Sequence, residues 1–402
     1  MTSESQITHS SVRAILGSDS DRLLGAIDEL MLETLAPNRE KKLRLFSSGE
    51  VAELLNMQPG SLRKLIAEKK IPDAEHGTGT RRLYSGEEIL ELRRILSKTS
   101  REPRKMLPTR LGREKLQVIA TLTFKGGSGK TTSGIHLAQK FALSGYRVLA
   151  IDMDPQASLT TLLGLRPHLD IGGYHTIYDA LRYAFGRDDV QKPMSSVVRK
   201  TYFPNLDLAP AGLILSEYET ETPYALQHNE PQPFYTRLRD AIDSVADDYD
   251  LVFIDCPPQL GFLTLTAMTA ATSLVIPVVP NMIDIASLGQ FLTMADSALT
   301  QISEAGWSFE YDFIRYLLCR YEPTDGPQTQ IAAFLRSQFP GRVMVNPFLK
   351  STAIADAGMT SDTIYEVDRN QLHRGTLARA LESVNLVAEE LEREIHAVWG
   401  RK

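Results

Sequence analysis

Residues 123–133 read TFKGGSGKTTS, and the fold turns on how that stretch is understood. Its end, Gly129-Lys130-Thr131, completes a phosphate-binding loop of the form G-x-x-x-x-G-K-[ST]. The first glycine of that form falls on Phe124, and beside it stands an additional lysine, Lys125. Context decides whether the loop is real. Apolar LQVIATLTF precedes it as a buried-strand pattern, and TTSGIHLAQKFALSG follows as a helix pattern. Small residues let the backbone N–H groups of Gly126, Gly127, Ser128 and Gly129 approach phosphate oxygens. The helix N-terminus adds partial positive charge. Lys130 can reach the β and γ phosphates as a point charge, and the Thr131 hydroxyl is placed to ligate magnesium. On this reading Phe124 ends the strand, and Gly126 and Gly127 take over the turn.

Working outward, further apolar runs alternate with helical patterns. RVLAIDMD, YDLVFIDCPP, SLVIPVVP, YDFIRYLLCRY and GRVMVNPF are expected to be the second to sixth strands. Such alternation predicts an α/β fold, a mostly parallel sheet of the P-loop NTPase type covered on both faces. Asp152 and Asp154 end one strand and Asp255 ends another. These carboxylates therefore emerge at the carboxyl edge, where open α/β sheets bind ligands. Magnesium prefers oxygen ligands and keeps several waters, so one aspartate could hold it through water while another orients an attacking water. A single aspartate after a strand is more often a helix cap; three of them beside the loop reverse that preference. Residues 170–235 are less regular, and residues 372–398 close the chain as a helix with Leu377, Leu381, Val384, Val387, Leu391 and Ile395 on related faces.

Before the loop the texture differs. Residues 1–40 read as a flexible tail and a leading helix at 20–37, residues 41–97 as a compact helical module, and 98–115 as a basic linker ahead of a domain spanning 116–402. In the module, one helix begins near Ser47 with Glu50 completing a capping box. A second starts at about Pro59, RRLYS forms a short extended segment, and a third helix opens at Ser85.

Bulk numbers narrow the class. The chain has 402 residues, 43% hydrophobic and 23% charged, ordinary for a globular protein of two or three domains. Cys256 and Cys319 are too few for a disulfide framework or a cysteine-rich zinc site. The uncharged stretch from Cys256 to Ile283 is interrupted by four prolines and reads as buried helix and strand rather than a membrane span. The start, MTSESQITHSS, lacks the basic-then-apolar order of a secretion signal, so a cytoplasmic location is expected. Net charge is -6, but residues 41–115 hold 18 Lys or Arg against 10 Asp or Glu. That local basicity, and not the total, bears on nucleic-acid binding.

The order KGGSGKTT, DMDPQAS, FIDCPP resembles the signature of the deviant Walker ATPases of the ParA/MinD class, which partition plasmids and chromosomes or position the division site. The resemblance covers roughly residues 116–400. It implies ATP or ADP with Mg2+ and an ATP-dependent homodimer. Lys130 resembles the loop lysine of its own subunit, and Lys125 the signature lysine that crosses to the partner's phosphates. Thr131 resembles the magnesium ligand, with Thr132 near the α phosphate. Asp154 resembles the residue positioning the hydrolytic water, while Asp152 and Asp255 resemble the outer magnesium-site aspartates. NPFLKSTAIADAG departs from the N-x-R-x-x-E-A of many relatives. Asn346 and Pro347 there are candidates for adenine contacts or simply terminate a strand.

GEVAELLNMQPGSLRKLIAEKKIP with GTRRLYSGEEILELRRIL resembles the MerR-type winged helix-turn-helix. The resemblance places Ser61, Arg63, Lys64 and Lys69 on or near a DNA-reading helix and Arg81 and Arg82 on the wing. The other reading is a small helical domain with a solvated basic face. Such a domain marks the larger plasmid type, which carries an extra dimerisation helix, similar to that at 20–37, and also represses its own operator. Length and wording are most similar to the RepA branch of alphaproteobacterial repABC plasmids. The family implies a ParB-like centromere-binding partner, operator and nonspecific DNA (Arg374, Arg379 and Arg393 being candidates for the latter), nucleoid association and no membrane. The rival reading is a nucleotide-sensing repressor with negligible turnover. A nitrogenase-type reductase would need cysteines able to bridge a cluster between subunits, and Cys256 and Cys319 are poorly placed for that.

Overall fold

The computed structural model describes residues 14–23, 25, 26, 41–78, 81–123, 125–167, 174–185, 191–308 and 310–401. The chain divides into two units, 1–41 and 42–402. In the first, residues 14–23, 25 and 26 are helical, with Ile15, Leu16 and Leu23 exposed. Most of the leading helix expected at 20–37 lies outside the described residues, as does Phe124.

The second unit opens with β1 (Phe46–Ser47), α1 (Ser48–Leu54), α2 (Pro59–Ala67), β2 (His76–Thr78), β3 (Arg81–Tyr84), α3 (Gly86–Thr99) and α4 (Pro103–Met106). Local chemistry sets these boundaries. The Ser47 and Ser85 side chains accept from the N–H groups of Glu50 and Glu88, whose carboxylates accept in return from the cap residues. Pro59 stands at the first position of α2, where no N–H is needed. The three strands pair antiparallel in the order β1-β3-β2.

Next come β4 (Gln117–Thr121), α5 (Lys130–Ser144), β5 (Val148–Asp152), α6 (Ser158–Leu162), α7 (Ile177–Leu181), α8 (Met194–Val197), β6 (Arg199–Lys200), β7 (Leu206–Ala209), α9 (Glu217–Gln227) and α10 (Phe234–Asp243). The chain continues through β8 (Leu251–Asp255), α11 (Phe262–Ala270), β9 (Ser273–Val278), α12 (Met282–Glu304), β10 (Phe313–Tyr321), α13 (Gly326–Gln338), β11 (Phe348–Leu349), α14 (Thr352–Met359) and α15 (Arg374–Val398). The sheet runs β11-β10-β9-β4-β8-β5-β7-β6, parallel throughout except for the β6–β7 pair.

Although β4, β5 and β8 are buried at every position, their side chains alternate between two cores. Val118, Ala120, Leu149 and Ile151 face one; Ile119, Val148 and Ala150 face the other. The second core also takes in α5, the apolar stripe of α15 and the N-terminal residues Phe46, Val51, Leu62, Ile89 and Leu92. The module at 41–97 thus shares a core with the sheet. Residues 98–115 are bound down as well. Arg401 donates to the carbonyls of Pro108 and Thr109, each at 2.7 Å, and the Arg110 N–H donates to Asp250 at 2.9 Å.

Two expectations change. GRVMVNPF makes only a single parallel bridge, Val343 to Tyr316, before the two-residue β11. Pro347 brings no N–H to extend a ladder. There the Ser383 hydroxyl of α15 accepts from the Leu349 N–H and donates to the Pro347 carbonyl, at 2.9 Å each. Conversely, β7 lies inside the stretch read as irregular. It is four residues long, between Pro204 and Pro210, and carries Asp207, which accepts from Tyr249 and Lys200.

Candidate nucleotide-binding site

The loop between β4 and α5 lies at the carboxyl edge of the sheet, beside the strands that supply the aspartates. Gly127 and Gly129 adopt φ of +75° and +97°, the left-handed region that a side chain disfavours. A Cβ on Gly129 would also meet Cys319 of β10 at 3.5 Å. Gly126 and Gly127 are exposed, and Ser128 is buried. The first N–H groups of α5 have no partners within the helix, as at any helix start. Backbone donors and a helix N-terminus thus converge where the sequence placed them.

Asp152 and Asp255 are register partners on adjacent parallel strands, and both are buried. The Thr131 hydroxyl donates to Asp255 Oδ2 at 2.6 Å. Asp255 Oδ1 is buried with no hydrogen-bond partner. Asp152 accepts from the Thr160 N–H and hydroxyl, at 2.8 and 2.7 Å, and from the Asp154 N–H at 3.1 Å. Burial pushes the Asp255 carboxyl up to about 8, and repulsion from Asp152 adds to the shift. Asp152 rises to about 7 through burial, against the lowering effect of the Thr160 bonds. An orphaned carboxylate oxygen beside a threonine hydroxyl is a donor set that fits a hard cation such as magnesium. No group of three or more His, Cys, Asp or Glu able to hold a metal occurs among the described residues. A cation here would take its remaining ligands from phosphate and water. Asp154 is half-buried on the following loop, its Oδ1 accepting from the Gln156 N–H at 2.9 Å.

The two lysines differ in environment. Lys130 is buried, and burial lowers its ammonium pKa, offset in part by Asp255, Cys256 and Asp154. Its Nζ donates to the Lys125 carbonyl at 3.4 Å, which also accepts from the Ser128 hydroxyl at 3.2 Å. The Lys125 ammonium extends the other way and pairs with Asp284, in the first turn of α12. Arg320, at the end of β10, donates to the Gly127 carbonyl at 3.3 Å with a φ of +52°. Neither Asp284 nor Arg320 has a local motif; only the sheet order, which sets β9 beside β4 and β10 beside β9, brings them to the loop.

The other anticipated residues have surroundings of their own. Thr132 is half-buried, and its carbonyl accepts from His136 Nδ1 at 2.6 Å. The Asn346 amide is engaged by Glu390 of α15 at 2.8 Å, and the Pro347 carbonyl by Ser383, beside β11. In the N-terminal module Ser61, Arg63, Lys64, Lys69 and Arg81 are exposed. Arg82 is half-buried, its guanidinium held by Asp73 at 2.5 and 3.0 Å. Arg374, Arg379 and Arg393 are exposed on α15.

A solved structure described as a partition protein superposes with a TM-score of 0.56 at 18% identity, over 93% of this chain and 99% of its own. A family model described as an AAA domain matches residues 116–305. Fold and site together define a P-loop nucleoside-triphosphatase fold of the α/β class. A putative replication protein A of Sinorhizobium fredii is 48% identical, covering 93% of this chain and 91% of its own length. The chromosome partitioning protein ParA of Caulobacter vibrioides is 30% identical over 60% of this chain and 84% of its own. The chain belongs to the ParA/MinD-type P-loop ATPases and is related to the plasmid-partition and RepA-like proteins. No described helix is long and apolar enough to cross a membrane.

Proposed function

We propose that the chain is a DNA-partition ATPase that pairs on ATP and hydrolyses it under the stimulus of a ParB-like centromere-binding partner. The observation that carries this reading is the pair of lysines in different settings at one loop, Lys130 turned inward and Lys125 outward, beside Thr131 and Asp255. In this reading Gly126, Gly127, Ser128, Gly129 and the start of α5 cradle the phosphates, with Thr132 at the α phosphate. Lys130 neutralises the β and γ phosphates. Thr131 and Asp255 would hold magnesium, whose chemistry is to draw charge from the transferred phosphoryl group. Asp152 supports the site by fixing Thr160 and the Asp154 backbone. Asp154 orients the attacking water. Lys125 completes the charge balance of the partner's site, as an arginine finger does.

The N-terminal module acts as a winged helix-turn-helix in the same reading. Its α2 presents Ser61, Arg63, Lys64 and Lys69 to operator DNA, and β2 with β3 forms the wing carrying Arg81. Arg82 serves mainly to brace the wing, because Asp73 already holds it. The ATP-bound dimer also binds nonspecific DNA, which places it on the nucleoid in the cytoplasm, and operator binding makes it an autorepressor. The decisive experiment is Lys125→Ala in the full chain. One chain should still bind a nucleotide analogue, while ATP-dependent pairing and partner-stimulated hydrolysis are lost. Wild-type stimulated turnover in that variant would refute the trans role of Lys125. Absence of stimulation of the parent chain by any centromere-bound partner, with tight operator binding, would favour the repressor reading.

A further inference from the structure

The Lys125 ammonium is not idle in its own chain. It pairs with Asp284, which is only 8% exposed, while the lysine side chain is 45% exposed. Asp284 lies in the first turn of the 23-residue α12. The Asn281 side chain fixes that turn by accepting from the Asp284 N–H at 2.9 Å. Residue 125 is also tied from behind, since its carbonyl accepts from the Lys130 ammonium at 3.4 Å and the Ser128 hydroxyl at 3.2 Å.

We propose that Asp284 is a positioning residue for Lys125, a counter-ion in the same chain that sets how much negative charge a partner must present before Lys125 is handed across. Three features carry this. A phosphate in the loop competes for the Lys130 ammonium and so removes one tie on residue 125; Ser128 still holds its carbonyl, and Asp284 is the restraint on its ammonium. The carboxylate faces the N-terminal end of a helix, whose partial positive charge compensates Asp284 when the lysine leaves. And lysine, a compact charge on a flexible stem, can exchange one anion for another without rebuilding a planar two-point contact. A triphosphate outbids one carboxylate more readily than a diphosphate does, so the pair discriminates ATP from ADP at the pairing step. This inference rests on the trans role proposed for Lys125.

The test uses the full chain with Asp284→Asn, which keeps the shape and the backbone bond to Asn281 but removes the charge, and Asp284→Glu, which restores it. Dimer fraction is followed by sedimentation against a slowly hydrolysed ATP analogue and against ADP, with thermal melting as the folding control. Asp284→Asn should pair at about tenfold lower analogue concentration, the scale of one charge-assisted hydrogen bond. It should also pair measurably with ADP and raise unstimulated turnover, and Asp284→Glu should return all three toward the parent. Lys125→Ala should block pairing in either background. An unchanged threshold in Asp284→Asn, or pairing weakened as in Lys125→Ala, would overturn the proposal, the latter making Asp284 a guide and not a restraint. If Lys125→Ala alone pairs like the parent, the trans reading fails and takes the proposal with it.

Discussion

Asp255 and Asp152 are carboxyls that folding makes harder to ionise. Burial raises them to about 8 and about 7, whereas in an unfolded chain an aspartate titrates near ~3.9. The folded chain therefore binds more protons between those limits, and stability is greatest below about pH 4 and falls as pH rises toward 8, as far as these two groups decide it. Asp255→Asn should melt a few degrees above the parent at pH 8 and much closer to it at pH 5, a comparison readily made by calorimetry. Magnesium nucleotide should release protons near neutrality, visible as a binding heat that depends on the buffer's own ionisation enthalpy. The loop lysines, Thr131 and the three aspartates were legible in the sequence because each sits in a contiguous motif at a strand end. Asp284, Arg320 and Glu390 were not. They reach their partners across 159, 193 and 44 residues of chain, and nothing local marks them.

Arg93 of α3 shows how the elements lock together. It is 2% exposed, and it donates to the carbonyls of Leu54, Met106 and Leu143, in the last turns of α1, α4 and α5. Those carbonyls lack intrahelical partners, and each helix ends in partial negative charge. Three such ends substitute for a carboxylate around one buried cation, and burial still lowers its pKa to about 10. Arg93→Met should cost about 2–5 kcal/mol in urea unfolding, since it strands three carbonyls. Arg93→Lys should recover only part, because an ammonium cannot fork toward three directions. The helix starts at Ser47, Pro59 and Ser85 were readable because caps are local. By contrast β7 and β11 escaped, being four and two residues long and stabilised by the distant Tyr249 and Ser383.

Over residues 42–402 the charge asymmetry becomes a surface. Arg63 and Lys64 are exposed on α2 while its Leu62 is buried, as a helix with one docked face requires. Replacing both with Ala should weaken DNA binding across sequences and reduce the salt slope by about 1 for each phosphate no longer neutralised, as followed by fluorescence anisotropy over a salt series. Composition suggested a basic linker at 98–115, but the pull of Arg401 and Asp250 on that segment comes from residues far along the chain. The shared core of the module and sheet was illegible for the same reason. The edges of the large sheet carry one more consequence. At one side β6 exposes Arg199 and Lys200, and at the other a single Ser383 hydroxyl occupies both backbone groups beside β11. Both edge strands are only two residues long, too short a row of amides and carbonyls for a foreign strand to template itself on. Copies of the chain held close together are thereby protected from strand-on-strand growth, so whatever contact they make must use side-chain surfaces.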